Sequence, residues 1–132
     1  MVKSVELKEF DINASENFGV YIEYNTNLIS DNLYSTTMFI YIINNNGNDV
    51  SNIKFDVSYN DTNLSSLSSS TINILSNDEK GASFICNETI PNRDYKCYIV
   101  TGIQTSGEFN GMTISNISYD TSNATEEVPA DN

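Results

Sequence analysis

Residues 37–59 read TMFIYIINNNGNDVSNIKFDVSY and hold two apolar runs on either side of an Asn/Gly/Asp loop. In the second run, apolar and polar side chains alternate from Ile53 to Tyr59, which is the period of a strand with one buried and one wet face. The first run, Met38–Ile43, is apolar on both faces. It is therefore either a central strand covered on both sides or a strand whose outer face meets a partner.

The rest of the chain continues this strand pattern. Asn, Ser, Thr, Ile and Tyr are abundant, whereas the strong helix formers Ala, Leu and Glu are scarce. Strands are predicted at residues 3–10, 18–25, 36–43, 51–60, 70–76, 82–90, 94–104 and 111–119. Short strands at this spacing, separated by Asn-, Asp-, Ser- and Gly-rich turns, predict an all-β, immunoglobulin-like antiparallel β-sandwich of about seven or eight strands.

The length of 132 residues predicts a single domain. We place this sandwich domain at residues 1–119. Residues 120–132 are acidic, with Val128 as the one sizeable apolar side chain, and are predicted to form a disordered C-terminal tail. The low-complexity segment Ser65–Ser70 is predicted to be a mobile connection.

The charge balance restricts the classes of partner. Six basic against 18 acidic residues give a net charge of −12, which opposes binding to nucleic acid or to an anionic membrane surface. The chain has no His, so a Ser-His-Asp or Cys-His site cannot be assembled within it and the commonest zinc ligand is missing. We expect a protein without enzymatic activity, bound cofactor or metal.

Targeting signals are also missing from the sequence as given. The start MVKSVELKEF lacks the apolar core of a signal peptide, and no stretch approaches the roughly 18 apolar residues that span a bilayer. If the chain belongs outside a cell, we expect its leader or anchor to have been removed.

Cys86 and Cys97 are the only cysteines, and they lie on predicted consecutive strands on either side of a turn that contains Pro91. This position suits a disulfide, which would imply an oxidising compartment. Two free thiols in a reducing compartment are the alternative.

Six asparagines fit the Asn-x-Ser/Thr pattern of N-glycosylation. A chain so rich in Asn, Ser and Thr contains many such matches by chance. Asn60, Asn63 and Asn123 fall in predicted loops or in the tail, where a glycan would not disturb packing, and they are the glycosylation candidates.

A contact face is predicted from the strand Met38–Ile43, which is apolar on both sides, combined with the strand Ser83–Ile90. If these strands pair and their even-numbered residues point into the core, Phe39, Tyr41 and Ile85 emerge together on the outer face. Such a patch is costly to leave in water, so it predicts a homodimer or a contact with another protein. Alternatively, the segment Phe18–Tyr24 covers this face within one molecule.

The segment Ile90–Ile99, IPNRDYKCYI, resembles the corner before the penultimate strand of immunoglobulin-like sandwiches. The resemblance implies that Tyr95 is the corner tyrosine, whose hydroxyl would donate to backbone upstream. Antibody domains pair the cysteine of this region with one far upstream, whereas the only possible partner here is Cys86.

The order of motifs along residues 36–119 resembles the soluble domains of archaeal surface-filament proteins, which include archaellins, type IV pilins and the archaellum accessory proteins F and G. The motifs are the loop Ile43–Gly47, the alternating strand Ile53–Tyr59 and the corner Pro91–Ile99. The resemblance implies a stator-like accessory domain that binds the S-layer or a partner subunit at an extracellular or pseudo-periplasmic cell surface. A filament-forming head domain, a secreted bacterial adhesion module and a carbohydrate-binding module remain as alternatives.

Overall fold

A computed structural model describes residues 17–121 of the chain. They form eight strands: β1 (Phe18–Ser30), β2 (Leu33–Asn44), β3 (Val50–Tyr59), β4 (Ser65–Ser68), β5 (Asn73–Asn77), β6 (Gly81–Cys86), β7 (Asp94–Gln104) and β8 (Met112–Thr121). Sheet A has the order β1-β2-β7-β4 and sheet B the order β5-β6-β3-β8, and every pairing is antiparallel. The predicted all-β sandwich is confirmed. The described part contains no helix that could span a membrane.

Seven of the predicted strands lie within the described residues, and each corresponds to an observed strand. The predicted strand 3–10 lies outside them, as does the tail beyond Thr121. The Ser-rich segment that was predicted to be a mobile connection contains β4, which pairs with β7. This strand was missed because its serines show no apolar alternation, although Leu64 before it is buried and Leu67 packs against the core.

The double-sided apolar run is the central strand β2, which lies between β1 and β7. Its even-numbered residues Met38, Ile40 and Ile42 belong to the core between the sheets. On the opposite face Phe39 is half-buried, while Tyr41 and Ile43 are buried. The C-terminal half of this run is therefore a central strand that is covered on both sides, which is the first of the two interpretations.

The core lies between the two sheets and is built by alternate residues of each strand. Phe55 on β3 and Phe84 on β6 stack at 5.3 Å between ring centroids. Ile53 and Val57 flank Phe55 on the same face, as the alternation in this segment predicted.

In the two sheets, most neighbouring strands are not consecutive in the sequence. β2 lies beside β7, whereas in the ABED sheet of constant-type immunoglobulin domains the second strand lies beside the fifth. Only the β1–β2 and β5–β6 connections stay within one sheet, and each of the other five passes from one sheet to the other. The connecting loops must therefore hold the two sheets in register.

The side chain of Asn44 fixes one of these crossings. Asn44 is fully buried, and its Nδ2 donates to the carbonyl oxygens of Asn48 (2.8 Å) and Ile90 (2.9 Å). Its Oδ1 accepts from the backbone N–H of Asn46 at 3.0 Å. One amide thus joins the end of β2, the Asn/Gly loop and the segment that leads into β7.

Backbone and side-chain bonds close the same end of the sandwich. Val50 and Ile90 exchange two backbone hydrogen bonds, of 3.0 and 2.8 Å. The Asn92 side chain accepts from the N–H of Gly47 at 2.8 Å, and the Asn92 N–H donates to Asp49 at 3.0 Å. Gly47 has a φ of 99°, a left-handed conformation that favours glycine. The Asn/Gly loop and the Pro91 corner are therefore one structural unit.

We expect Asn44→Ala to lower the free energy of unfolding by about 2–4 kcal/mol, because it removes the three hydrogen bonds of a buried amide. Asn44→Asp keeps the acceptor but turns a carboxylate oxygen toward the two carbonyls, so it should be at least as destabilising at neutral pH and recover in part on acidification. Urea denaturation measures both. Asn73→Ala, at an exposed site on β5, is the control. A stability of Asn44→Ala equal to that of the control would contradict this role.

Candidate interaction surface

The predicted contact face does not exist as one surface. Phe39 and Tyr41 lie on the outer face of sheet A, because the residues between and beside them point into the core. Ile85 lies on β6 in sheet B and points away from the core on the opposite side of the sandwich. The prediction assumed that β2 and β6 pair, but β6 pairs with β3 and β5. Its other assumption holds, because the even-numbered residues Ile40, Ile42, Phe84 and Cys86 do lie in the core.

Exposed apolar side chains concentrate instead on β1. Seven large hydrophobic residues are exposed in the described part of the chain, and four of them lie on this strand: Tyr21, Tyr24, Leu28 and Ile29. The other three are Leu75 on β5, Ile99 on β7 and Ile117 on β8. We call the four residues on β1, together with the outward edge of that strand, the β1 edge. The sequence hid it, because Asn25, Thr26 and Asn27 interrupt the apolar run.

Among the strands that the structure describes, β1 forms the longest regular end of a sheet. Its register with β2 runs without interruption from Phe18 to Leu28. Edge strands are usually protected by shortness, bulges, Lys or Pro. β4 and β5 have four and five residues with an irregularity each, and the β3–β8 pairing has two irregularities. β1 has none of these features before Leu28, and its one charged residue is Glu23.

The two cysteines are free and lie on strands of different sheets. Cys86 is buried in the core on β6 of sheet B, and Cys97 is half-buried on β7 of sheet A, on the face that points away from the core. The predicted disulfide is therefore not formed. Strands that are consecutive in the sequence belong to different sheets here, and one thiol faces inward while the other faces outward. Burial raises the pKa of the Cys97 thiol, a hydrogen bond with Tyr41 opposes this shift, and the Glu23 charge adds to it.

A buried tyrosine bridges the two sheets beside Cys86. The Cys86 thiol donates to the Tyr98 hydroxyl at 3.0 Å, and this hydroxyl donates to a Glu88 carboxylate oxygen at 2.8 Å. Burial and these two neighbours strongly raise the pKa of Tyr98. Glu88 also lies 3.7 Å from the Lys96 ammonium. This ion pair is exposed, so it adds little to the stability of the fold. Tyr98 anchors this region through its hydroxyl, and the corner role of Tyr95, three residues earlier, stays a prediction. Tyr95 pairs with Ile43 at the start of β7.

The glycosylation candidates differ in the contacts that their side chains make. Asn60 is exposed, but its Nδ2 donates to the carbonyl of Asn110 at 3.0 Å and its Oδ1 accepts from Thr113 at 3.2 Å. Asn63 is exposed and lines an open polar groove with Tyr59. Asn123 lies outside the described residues. Within residues 17–121, no group of three or more Cys, Asp or Glu side chains could hold a metal ion.

We expect neither cysteine to form an intramolecular bridge on air oxidation. Iodoacetamide should modify Cys97 slowly in the native protein, because burial keeps its thiol protonated, and should reach Cys86 only after unfolding. Intact-mass measurement before and after denaturation counts the modified thiols, and peptide mapping assigns them. A protein that resists alkylation until a reductant is added would contradict the structure.

Alkaline conditions should destabilise the fold through two tyrosines. Burial, with a smaller effect of Asp78, raises the pKa of Tyr59 to about 12, and that of Tyr98 is raised further. Above about pH 10 the unfolded chain loses these protons while the folded chain keeps them, so the free energy of unfolding falls as pH rises. Below that pH neither group contributes a pH dependence. Tyr59→Phe and Tyr98→Phe should each reduce the alkaline fall in a pH series of denaturant titrations, and an unchanged slope in both variants would contradict the assignment.

Comparison with known proteins places this chain in no family. No family model matches it, and no curated protein matches it. Among solved structures, the chain is similar to the chitinase ChiA74 from Bacillus thuringiensis, with a TM-score of 0.46 and 21% sequence identity. The similarity covers 73% of this chain and 15% of the chitinase chain. A likeness at this level assigns neither a fold family nor a function.

Proposed function

We propose that this chain is a non-enzymatic protein-interaction domain at a cell surface and that it binds its partner through the β1 edge. The observation that carries the proposal is the placement of four of the seven exposed large hydrophobic residues on one regular edge strand. Exposed apolar surface costs about 25 cal/mol per Å², so its concentration on one strand favours contact with another protein.

The charge of the chain favours a protein as the partner. A net charge of −12 opposes approach to phosphate backbones and to anionic lipids. At the β1 edge itself, Glu23 is the one charged residue among thirteen. Hydrophobic contact can therefore form there without desolvating many charges.

In its finer form, the proposal is an accessory, stator-like component of an archaellum or pilus that binds the S-layer or a partner subunit. Its support is the resemblance of residues 36–119 to the soluble domains of archaeal surface-filament proteins. In this chain the loop Ile43–Gly47 and the corner Pro91–Ile99, which carry that resemblance, contact each other. The Arg93 N–H donates to the Asn44 carbonyl, and the Gly47 N–H donates to the Asn92 side chain.

Site-specific photo-crosslinking in the native host tests this proposal. A benzophenone amino acid at Tyr24 should capture an envelope protein that mass spectrometry identifies, whereas the same group at Leu75, on the edge of sheet B, should not. Capture of an S-layer or stator protein supports the accessory role, and capture of a filament subunit supports the head-domain alternative. Equal capture at both positions, or capture of intracellular proteins alone, would refute the proposed function. Antibody labelling of intact cells checks the surface location independently.

A further inference from the structure

We infer that the loop at residues 105–111, which joins β7 to β8, is a hinged cover over one end of the core. The buried amide of Gln104 latches this cover, and the loop opens as a unit. The inference rests on the proposed function in one respect, because the loop packs against Tyr24, a residue of the β1 edge. Opening of the loop would change the surface that Tyr24 presents to a partner.

The latch is one side-chain oxygen. Gln104 is the last residue of β7, and only 4% of its surface is exposed. Its Oε1 accepts hydrogen bonds from the backbone N–H groups of Ser106 (2.7 Å) and Gly107 (2.8 Å). The Ser106 hydroxyl donates a third, at 3.1 Å. These bonds hold the first turn of the loop against the end of sheet A.

The closed latch leaves the other end of the same amide without a partner. Within residues 17–121, Nε2 of Gln104 is the only buried side-chain nitrogen or oxygen that makes no hydrogen bond. A buried donor without a partner costs free energy, and an open loop would let water satisfy it. The oxygen of Gln104 therefore favours the closed loop, while its nitrogen favours the open one.

The rest of the loop is held in a way that permits opening. It contains no strand or helix, and Gly107 and Gly111 have φ values of 84° and 85°, a left-handed conformation that glycine adopts without steric cost. At its far end, the Asn60 N–H donates to the Gly111 carbonyl at 3.1 Å, and the Asn60 side chain donates to the Asn110 carbonyl at 3.0 Å. The second of these bonds is exposed, so water can replace it.

Phe109 is the one large apolar residue of the loop, and it is buried. Its ring meets Tyr24 edge-on at 5.0 Å between centroids and Tyr59 at 6.3 Å. Tyr24 is itself 42% exposed, so the ring that Phe109 covers on one side already faces solvent on another. Opening would withdraw Phe109 from both tyrosines. It would add Phe109 and the covered side of Tyr24 to the exposed apolar surface of the β1 edge.

Hydrogen exchange measured by NMR on the unaltered chain tests the cover without any variant. Opening as a unit releases the amides of Asn60, Ser106 and Gly107 together. We expect one common opening free energy for these three amides, and exchange at least about tenfold faster than that of the amides in β3 and β6. Protection equal to that of β3 and β6 overturns the inference, and so do three unrelated opening free energies.

The variant Gln104→Met removes the latch oxygen while it keeps an unbranched side chain of similar volume. Exchange should become about tenfold faster at Ser106, at Gly107 and also at Asn60, whose hydrogen bond does not involve Gln104. The amides of β3 and β6 report any accompanying change in global stability. Faster exchange at Ser106 and Gly107 with Asn60 unchanged would show three separate contacts instead of one cover, and it overturns the inference.

Ser69→Ala is the matched control, because Ser69 anchors a different connection in the same manner. Its Oγ accepts from the backbone N–H groups of Thr71 (3.1 Å) and Ile72 (3.2 Å), between β4 and β5. We expect this variant to speed exchange at Thr71 and Ile72 and to leave Asn60 and the loop at 105–111 as they are. An equal effect of both variants on Asn60 overturns the inference.

The failures of the two proposals can be told apart. If exchange shows no common opening but the crosslinker at Tyr24 captures an envelope protein, the inference fails and the proposed function stands. If the loop opens as a unit while crosslinkers at Tyr24 and Leu75 capture the same proteins equally, the inference stands and the proposed function fails.

Discussion

The buried amide of Asn44 holds together the part of the molecule on which both sheets depend. It ends β2, the central strand of sheet A, and it fixes the loop that leads into β3, a central strand of sheet B. Its bond to the Ile90 carbonyl adds the segment that enters β7. A buried amide stabilises the fold only when its partners are present, since an unsatisfied buried group costs about 1–3 kcal/mol, more than one hydrogen bond contributes. Here both donated bonds and the accepted bond are made.

The three hydrogen bonds of the Asn44 side chain, which we call the clamp, also determine which side chains of sheet A face the core and which face outward. A shift of β2 by one residue would exchange the core residue Ile40 with Tyr41, because side chains alternate between the two faces. By fixing the end of β2 against β3 and β7, the clamp keeps Met38 and Ile42 inside and Phe39 outside. The edge of β1 inherits this register through its own pairing with β2. The chemistry at the surface is thus set by an amide at one end of the core.

Local patterns in the sequence predicted the strands well but could not predict their neighbours. Alternation identified β3 and β7 nearly to their ends, because each residue's burial repeats with the period of a strand. The disulfide and the contact face were wrong for a common reason. Both assumed that nearby or similar strands pair, whereas β6 and β7 belong to different sheets. Which strand lies beside which depends on long-range crossings, and no short motif records them. The buried partners of Asn44 were invisible for the same reason, although its Asn/Gly loop was recognised as a turn.

The hydrogen bonds of Asn44 and the exposed residues of β1 contribute differently to the fold. Among the described strands, β2, β3, β6 and β7 supply most of the core, while β1 lies at the end of sheet A and contributes Val20 and Ile22. Contacts at that edge therefore add to the fold without being required by it. Changes there should alter association with little effect on stability, and changes at Asn44 should do the opposite. A domain arranged in this way can gain, lose or exchange partners along β1 while its core remains the same.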